Sequence, residues 1–259
     1  MGLVDRWRNS RGHRIEKLPA LLRPPAQLVR NQLIDRTYIY RADGLATAHY
    51  CPFYDDPEFE KLYSEMVKSW IPGADTRWRM WLLSSFAQQC QHLPGNFAEF
   101  GTWRGGCAYM ILGRTIVPDG HCFFLFDTFT GIPATRLTRR EHADGFAGRL
   151  GDTSVEFVDD VLGRWRGRYE LCPGDVFQTL GAAEVGALSF AHIDLNAAAA
   201  TRVSLEFAYE RLLVGGLIVF DDYAAFGYED QRRTIDDFFE SLVEKPIALP
   251  TCQAVVIKH

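Results

Sequence analysis

Acids stand at the ends of successive apolar runs along this 259-residue chain. Glu99 lies in Phe97-Ala98-Glu99-Phe100, Asp127 closes Phe124-Leu125-Phe126-Asp127, and Asp194 closes His192-Ile193-Asp194. Asp221 and Asp222 close Ile218-Val219-Phe220-Asp221-Asp222, with Tyr223 after them. One further run leads into Pro173-Gly174-Asp175-Val176. Carboxylates gathered at one edge of a sheet can hold ribose hydroxyls, ligate hard cations or take a proton from a substrate. Glu99 is followed by Gly101, Thr102, Gly105 and Gly106, then by the helix-like Cys107-Ala108-Tyr109-Met110. Glycines so spaced let a ligand approach the backbone, and the helix start turns free N–H groups toward it. On these residues alone, a cofactor cradle and a ligand-free strand–helix connection are both open.

Asp127 stands 21 residues beyond Gly106. At that spacing an acid after a second strand holds the two hydroxyls of a cofactor ribose. The alternative is an aspartate that caps a helix or fastens a turn. The loop reads Glu-Phe-Gly-Thr-Trp-Arg-Gly-Gly, not G-x-G-x-x-G. An acid before its first glycine repels a pyrophosphate and attracts a cation, which argues against NAD or FAD. It suits S-adenosylmethionine, which carries a sulfonium, an ammonium and no phosphate. Asp194, Asp221 and Asp222 converge if their strands are neighbours, an all-oxygen set of the kind Mg²⁺ prefers. The alternative is that one of them caps the next helix and another pairs with an arginine. His192 shares a strand face with Asp194 and is read either as a second base or as a packed strand histidine.

Positioning these residues requires strands and helices in alternation. Apolar runs at Phe97–Phe100, Cys122–Phe126, Tyr169–Cys172, Leu188–Ile193, Leu217–Phe220 and Ala254–Ile257 alternate with helical stretches near 107–116, 153–165, 175–183, 199–213 and 229–243. Continuous apolar strands separated by helices predict a parallel sheet covered on both faces. The last run, Cys252–Lys258, is expected as an antiparallel edge strand. Upstream, Asp56-Pro57 predicts a capped helix start with Phe59, Leu62, Tyr63 and Met66 on one face. A second helix is expected from about Asp75 to Gln91, with Trp78, Trp81, Leu82 and Phe86 inward. Residues 1–30 look partly helical around Arg23-Pro24-Pro25. Residues 31–54 read as an ordered loop or a lid, so the domain division is an arm over 1–55 and a body over 56–259.

Six cysteines without a C-x-x-C pair read as free thiols in a reducing compartment, not as a disulfide framework or zinc site. No apolar run reaches the roughly 18 residues of a membrane span, and the charged N-terminus lacks a signal-peptide apolar region. The cytoplasm is therefore expected. Residues 1–50 carry nine Lys and Arg against four acids in a chain of net charge −5, so the arm is basic and the body acidic. With no lysine cluster and no regular basic face, the arm is expected to pack on its own or a sister subunit rather than on nucleic acid or membrane.

These residues, in this order, resemble the macrocin O-methyltransferase-like family of S-adenosylmethionine-dependent enzymes. The matching pieces are the Glu-x-Gly-x-x-x-Gly-Gly loop at 99–106, Asp-Thr-Phe-x-Gly-Ile-Pro at 127–133 and Gly-Asp-Thr-Ser-Val-Glu at 151–156. Pro-Gly-Asp-Val-Phe-x-Thr-Leu at 173–180, His-Ile-Asp at 192–194 and Gly-Gly-x-Ile-Val-Phe-Asp-Asp-Tyr at 215–223 complete the set. Tyr-Arg-x-Asp-Gly-Leu-Ala-Thr at 40–47 is similar to one branch. The resemblance implies an α/β, class I methyltransferase (Rossmann-like) fold: a doubly wound, mostly parallel sheet with helices on both faces and an N-terminal helical and loop arm.

Carried over by position, it places Glu99, Gly101 and the rest of the loop (Thr102, Gly105, Gly106) at the methionine end of the cofactor and Asp127 at the ribose. Asp175 and Val176, with the Asp152–Ser154 segment, fall by the adenine, and Thr128, Phe129 and Asp194 are further cofactor contacts. Asp194, Asp221 and Asp222 match Mg²⁺ ligands, with Asp194 as candidate general base. Tyr38, Tyr40, Arg41, His49 and Tyr223 are candidate acceptor contacts. The expected activity is methyl transfer to a hydroxyl of a saccharide or glycosylated small molecule by a homo-oligomer, dimer or tetramer. One departure stands out. Where many members continue Val-Asp-Leu-Tyr-Glu, this chain has Leu195-Asn196-Ala197-Ala198-Ala199-Ala200. That motivates an alternative, a binding protein that keeps the fold and the cofactor but has lost the reaction.

Overall fold

The computed structural model describes residues 38–71, 73–117 and 120–259. The chain divides into two compact units between Cys51 and Pro52. In the described part of the first, β1 (Tyr40–Ala42) and β2 (Leu45–Thr47) pair antiparallel, Tyr40 opposite Thr47. Asp43 and Gly44 join them at φ 47° and 73°. A two-residue hairpin turn with both centres at positive φ selects Asp-Gly, a signal present in the sequence that the loop reading passes over. Tyr38, Arg41 and His49 lie on and beside this hairpin. The helical reading of residues 1–30 and the packing of the basic arm lie outside the described residues.

The second unit opens with a short 3-10 turn at Pro52–Asp55 and α1 (Pro57–Met66). Asp56 caps α1 by accepting from the Phe59 N–H at 2.9 Å. Phe59, Leu62, Tyr63 and Met66 are all buried, as the spacing predicts. In α2 (Arg77–Cys90) the buried stripe is Met80, Leu83, Ser84, Ala87 and Cys90. The predicted inward set of Trp78, Trp81, Leu82 and Phe86 is only half-buried. The stripe packs on the sheet, while Trp78 and Trp81 turn sideways, 5.2 Å from the rings of Phe53 and Phe59 respectively. Large aromatics on two sides of the helix had drawn the expected face round by about a residue.

The body continues β3 (Asn96–Phe100), α3 (Gly106–Arg114), β4 (Phe123–Asp127), α4 (Arg139–Ala143), α5 (Val155–Val161), β5 (Tyr169–Pro173) and α6 (Val176–Thr179). It ends β6 (Leu188–Ile193), α7 (Ala198–Arg211), β7 (Leu212–Phe220), α8 (Glu229–Phe239), β8 (Ile247–Ala248) and β9 (Ala254–Ile257). The sheet order is β5-β4-β3-β6-β7-β9-β8. The first five strands are parallel and β9 runs against both its neighbours. The final strand is therefore antiparallel as expected but not at the edge. Two-residue β8 takes the edge and was invisible to periodicity at that length.

Strand alternation divides the chemistry from the core. Ala98, Phe100, Phe124, Phe126, Ala191, Ile193, Ile218 and Phe220 share one buried cluster with Leu205 and Ala208 of α7 and Ile235 and Phe239 of α8. The opposite parity carries Glu99, His192 and Val219, which stand in register across β3, β6 and β7. The strand order reverses between β3 and β6, the switch point at which open α/β sheets bind ligands. None of the six cysteines forms a disulfide. Among the described residues no helix is long and apolar enough to cross a membrane.

Candidate active site

The ladder runs on past the strand ends. Gly101 donates to Phe126 O and Asp194 to Phe100 O, both at 2.8 Å, and Asp221 donates to Ile193 O at 3.1 Å. Gly101, Asp194 and Asp221 are thereby fixed side by side at the switch point. Gly101 has φ 95°, and a Cβ there would lie 1.9 Å from the Asp194 carbonyl oxygen. Only glycine lets the two strand ends approach so closely. Gly105, at φ 77°, stands at the N-cap of α3 without a side-chain cap. At Gly106 a Cβ would enter the Trp70 ring at 2.4 Å. The loop is held from outside as well: Trp103 Nε1 donates to Asp152 Oδ1 at 2.8 Å, and Thr153 Oγ1 donates to Trp103 O at 2.9 Å.

Asp127 fastens this loop. Its Oδ2 accepts from the N–H groups of Thr102 and Trp103 at 2.9 and 2.7 Å, and its Oδ1 from Phe129 at 2.7 Å. The turn-fastening alternative is thus realised, and the side chain stays partly exposed. A carboxylate has about four acceptor positions, so three N–H bonds leave room for a ligand. Burial raises its pKa against the pull of those N–H groups. Thr128 donates to Gly131 O at 2.8 Å, and Phe129 is buried at φ 55°. Ser154 caps α5 by accepting from Phe157 N at 3.1 Å, and Asp175 caps α6 by accepting from Phe177 N at 3.1 Å. Val176 belongs to the buried core.

Glu99 and His192 are both completely buried, with Glu99 Oε2 3.0 Å from His192 Nδ1. His192 Nε2 lies 3.8 Å from Asp221 Oδ1. Burial opposes a charge on the imidazole, yet Asp221 and Glu99 together push its pKa up to about 10. An imidazolium clasped by two carboxylates is a poor base, so His192 is a strand residue that joins the loop to the aspartates. Burial also raises Glu99. Two polar atoms at the loop, Glu99 Oε1 and Thr102 Oγ1, are buried with no hydrogen-bond partner among the described residues.

Asp194, Asp221 and Asp222 each offer a ligand atom, all within 4.8 Å of one another. Burial, then the charges of Asp221 and Asp222, raise the Asp194 pKa well above its ordinary value. For Asp221 burial acts upward too, but Arg79 and then His192 override it and lower the pKa. Arg79 is the site residue that sequence reading misses. It arrives from α2, 142 residues earlier in the chain, with Nη1 2.5 Å from Asp221 Oδ2 and 3.2 Å from Asp222 Oδ1. The arginine partner weighed as an alternative to a metal therefore exists. An arginine among the aromatics of Arg77-Trp78-Arg79-Met80 was the available signal. Gln253 Nε2 adds a bond to Asp221 Oδ1 at 2.9 Å.

The alanine departure has a structural counterpart. Asn196 takes φ 56°, a conformation asparagine tolerates, and donates to Asp194 Oδ1 at 3.2 Å. Ala197, at the N-cap of α7, has no side chain to cap it. Glu141 of α4 does so instead: its Oε1 accepts from Ala198 N and its Oε2 from Thr138 N, both at 2.7 Å. Tyr223 directs its hydroxyl to Asp236 at 2.5 Å, so its polar end is committed to α8. Tyr38, Tyr40, Arg41 and His49 belong to the other compact unit.

A family model described as macrocin-O-methyltransferase (TylF) matches residues 77–253. A demethyldecarbamoylnovobiocin O-methyltransferase from Streptomyces niveus is 24% identical over 202 residues, spanning 66% of this chain and 74% of its own. An 8-demethyl-8-(2,3-dimethoxy-alpha-L-rhamnosyl)-tetracenomycin-C 4'-O-methyltransferase from Streptomyces olivaceus is 27% identical over 143 residues, 51% and 54% of the two chains. A mycinamicin III 3''-O-methyltransferase from Micromonospora griseorubida is 26% identical over 175 residues, 57% and 65%. The chain thus spans between half and three quarters of the lengths of these relatives. Among solved structures, the O-methyltransferase NovP superposes with TM-score 0.67 at 20% identity, covering 80% of this chain and 98% of its own. The calicheamicin methyltransferase CalS11 gives 0.59 at 18%, covering 81% and 94%. These superpositions bear on the fold, and the family match adds the lineage: the chain belongs to the macrocin O-methyltransferase (TylF) family of enzymes and has a class I methyltransferase fold.

Proposed function

We propose that this enzyme moves a methyl group from S-adenosylmethionine to a hydroxyl of a saccharide or glycosylated small molecule, with a divalent cation, Mg²⁺, held by Asp194, Asp221 and Asp222. The observation that carries the reading is the convergence of three carboxylates beside a glycine loop at the sheet's switch point. The residues fit the cofactor. Glu99 Oε1 is an orphaned buried acceptor suited to the ammonium end, the uncapped start of α3 suits the carboxylate, and Asp127 keeps acceptor capacity for ribose. They also fit a hard cation, since every candidate donor is a carboxylate oxygen. The acceptor class is drawn from the relatives, one of which acts on a rhamnosyl compound by name.

When bound, S-adenosylmethionine supplies an electrophilic methyl on a sulfonium, and the cation supplies Lewis acidity toward the acceptor oxygen. The chain's own residues do the rest. Asp194, raised by burial and its two acidic neighbours, takes the proton of the acceptor hydroxyl. With S-adenosylmethionine bound, the acceptor oxygen so freed would be the nucleophile for the sulfonium methyl, and the loop at Glu99–Gly106 would hold the cofactor facing it. Gly101 and the Asp127-fastened loop keep the reacting centres in line. Such orientation supplies roughly 7–11 kcal/mol in favourable cases.

Calorimetric titration with S-adenosylmethionine, with and without EDTA, tests both parts. Binding should persist in EDTA while turnover is lost and returns with Mg²⁺. A folded protein that binds no cofactor refutes the cofactor assignment, and full turnover in EDTA refutes the cation.

A further inference from the structure

Asp221 is saturated from two sides. Gln253 Nε2 holds Oδ1 at 2.9 Å, and His192 Nε2 faces the same oxygen at 3.8 Å. The other oxygen, Oδ2, is taken by Arg79 Nη1 at 2.5 Å. That same nitrogen reaches Asp222 Oδ1 at 3.2 Å, and Nη2 of the same fork lies 3.1 Å from Cys252 Sγ. The guanidinium therefore lies between the two carboxylates, not behind one of them. An arginine that merely steadied one metal ligand would bond that carboxylate alone. Here a single nitrogen of Arg79 spans Asp221 and Asp222, while Gln253 holds the second Asp221 oxygen. The pairing is also sheltered, with the Arg79 and Asp221 side chains 13% and 7% exposed, so solvent screens it little. A guanidinium keeps its charge at every pH at which the protein is folded.

We propose that Arg79 is a built-in competitor for the divalent cation: it occupies Asp221 and Asp222 in the ion's place and sets how weakly the site takes metal. This rests on the reading of Asp194, Asp221 and Asp222 as a cation site. An ion ligated by all three needs oxygens that Arg79 now spans, so Arg79 must withdraw before the full set closes. The site then gains cation readily only when further oxygens, such as those of an acceptor, add to the ligand set. Arg79 is a positioning residue in this account, not a catalytic one.

The test is Mn²⁺ binding followed by electron paramagnetic resonance on the full-length protein, for wild type, Arg79→Gln and Arg79→Lys. Competition predicts that Arg79→Gln binds Mn²⁺ at least about tenfold more tightly than wild type, because a buried counter-charge has been removed from the ligands. Arg79→Lys should gain less, about threefold, since it keeps a charge but loses the planar fork. Far-ultraviolet circular dichroism and S-adenosylhomocysteine titration show that each variant is folded. Wild-type binding that is unchanged or weakened in a folded Arg79→Gln overturns the proposal and makes Arg79 a support for the ligands. If Arg79→Gln does not fold, Arg79→Lys decides: a gain supports competition and no gain overturns it. Mn²⁺ binding to none of the three removes the cation site itself, and the proposal with it.

Discussion

Asp194→Asn should lower the rate of methyl transfer by about 10²–10⁴-fold, the usual range for loss of a general base, while the protein still folds and binds S-adenosylhomocysteine. The substitution is nearly isosteric. The backbone N–H of residue 194 still bonds Phe100 O, so the strand end that carries it does not move. What is lost is a carboxylate whose proton affinity is raised by burial and by the charges of Asp221 and Asp222. Single-turnover kinetics with preloaded cofactor separates chemistry from binding. The loss should fall on the chemical step, with cofactor affinity changed by less than about tenfold. A variant within a few-fold of wild type would remove Asp194 from the mechanism. A loss confined to KM would make it a binding group.

The second large effect is structural. Gly101→Ala should destabilise the protein by about 3 kcal/mol or more, the range of overpacked and strained sites. The added Cβ meets only backbone: Asp194 O at 1.9 Å, Asp194 C at 2.6 Å and Leu195 N at 3.2 Å. No side chain can swing away to relieve it, so the ends of β3 and β6 must part. Because those ends carry the loop and Asp194, cofactor affinity should fall with stability. The control is Gly167→Ala, which shares the positive φ at 89° but has nothing within 4 Å of its Cβ. That variant should lose only the dihedral cost, about 1–2 kcal/mol. Chemical denaturation of the pair isolates the steric part. Equal stabilities would mean that the close approach at Gly101 is not what fixes the switch point.

How far the sequence foretold all this can be judged from particular residues. The strand–helix alternation was legible because parallel strands buried on both faces read as unbroken apolar runs. The capped start of α1 was legible because Asp56 and Pro57 act locally. The burial of Phe97–Phe100 and the separation of Glu99 from Ala98 and Phe100 follow from a period of two. The inward face of α2 was misjudged because Trp78 and Trp81 pack sideways on Phe53 and Phe59, a tertiary preference that periodicity does not encode. The edge strand Ile247–Ala248 is too short to carry a pattern.

At the site, Asp127, Asp194 and the Asp221–Asp222 pair were legible because each follows or closes its apolar run directly, whereas Glu99 lies inside its run. Their partners were not. Arg79 reaches Asp221 from a helix far back in the chain, Gln253 from the turn just ahead of β9, and Glu141 caps α7 from a segment with no local tie to it. Such contacts are made by topology, which sequence spacing does not reveal. Ser154 and Asp175 illustrate the converse. Each is an acid or hydroxyl just ahead of a helix, and each proves to cap that helix, the local role that its position favours whatever it also does for a ligand.

Transfer of labelled methyl tests the central claim most directly. The folded enzyme is supplied with methyl-labelled S-adenosylmethionine, Mg²⁺ and a panel of glycosides and nucleotide sugars, and products are read by mass spectrometry. The account predicts one acceptor carrying a labelled O-methyl on a sugar hydroxyl, with S-adenosylhomocysteine formed in equal amount. Cofactor bound by a folded enzyme but methyl delivered only to nitrogen, carbon or a non-saccharide acceptor would contradict it.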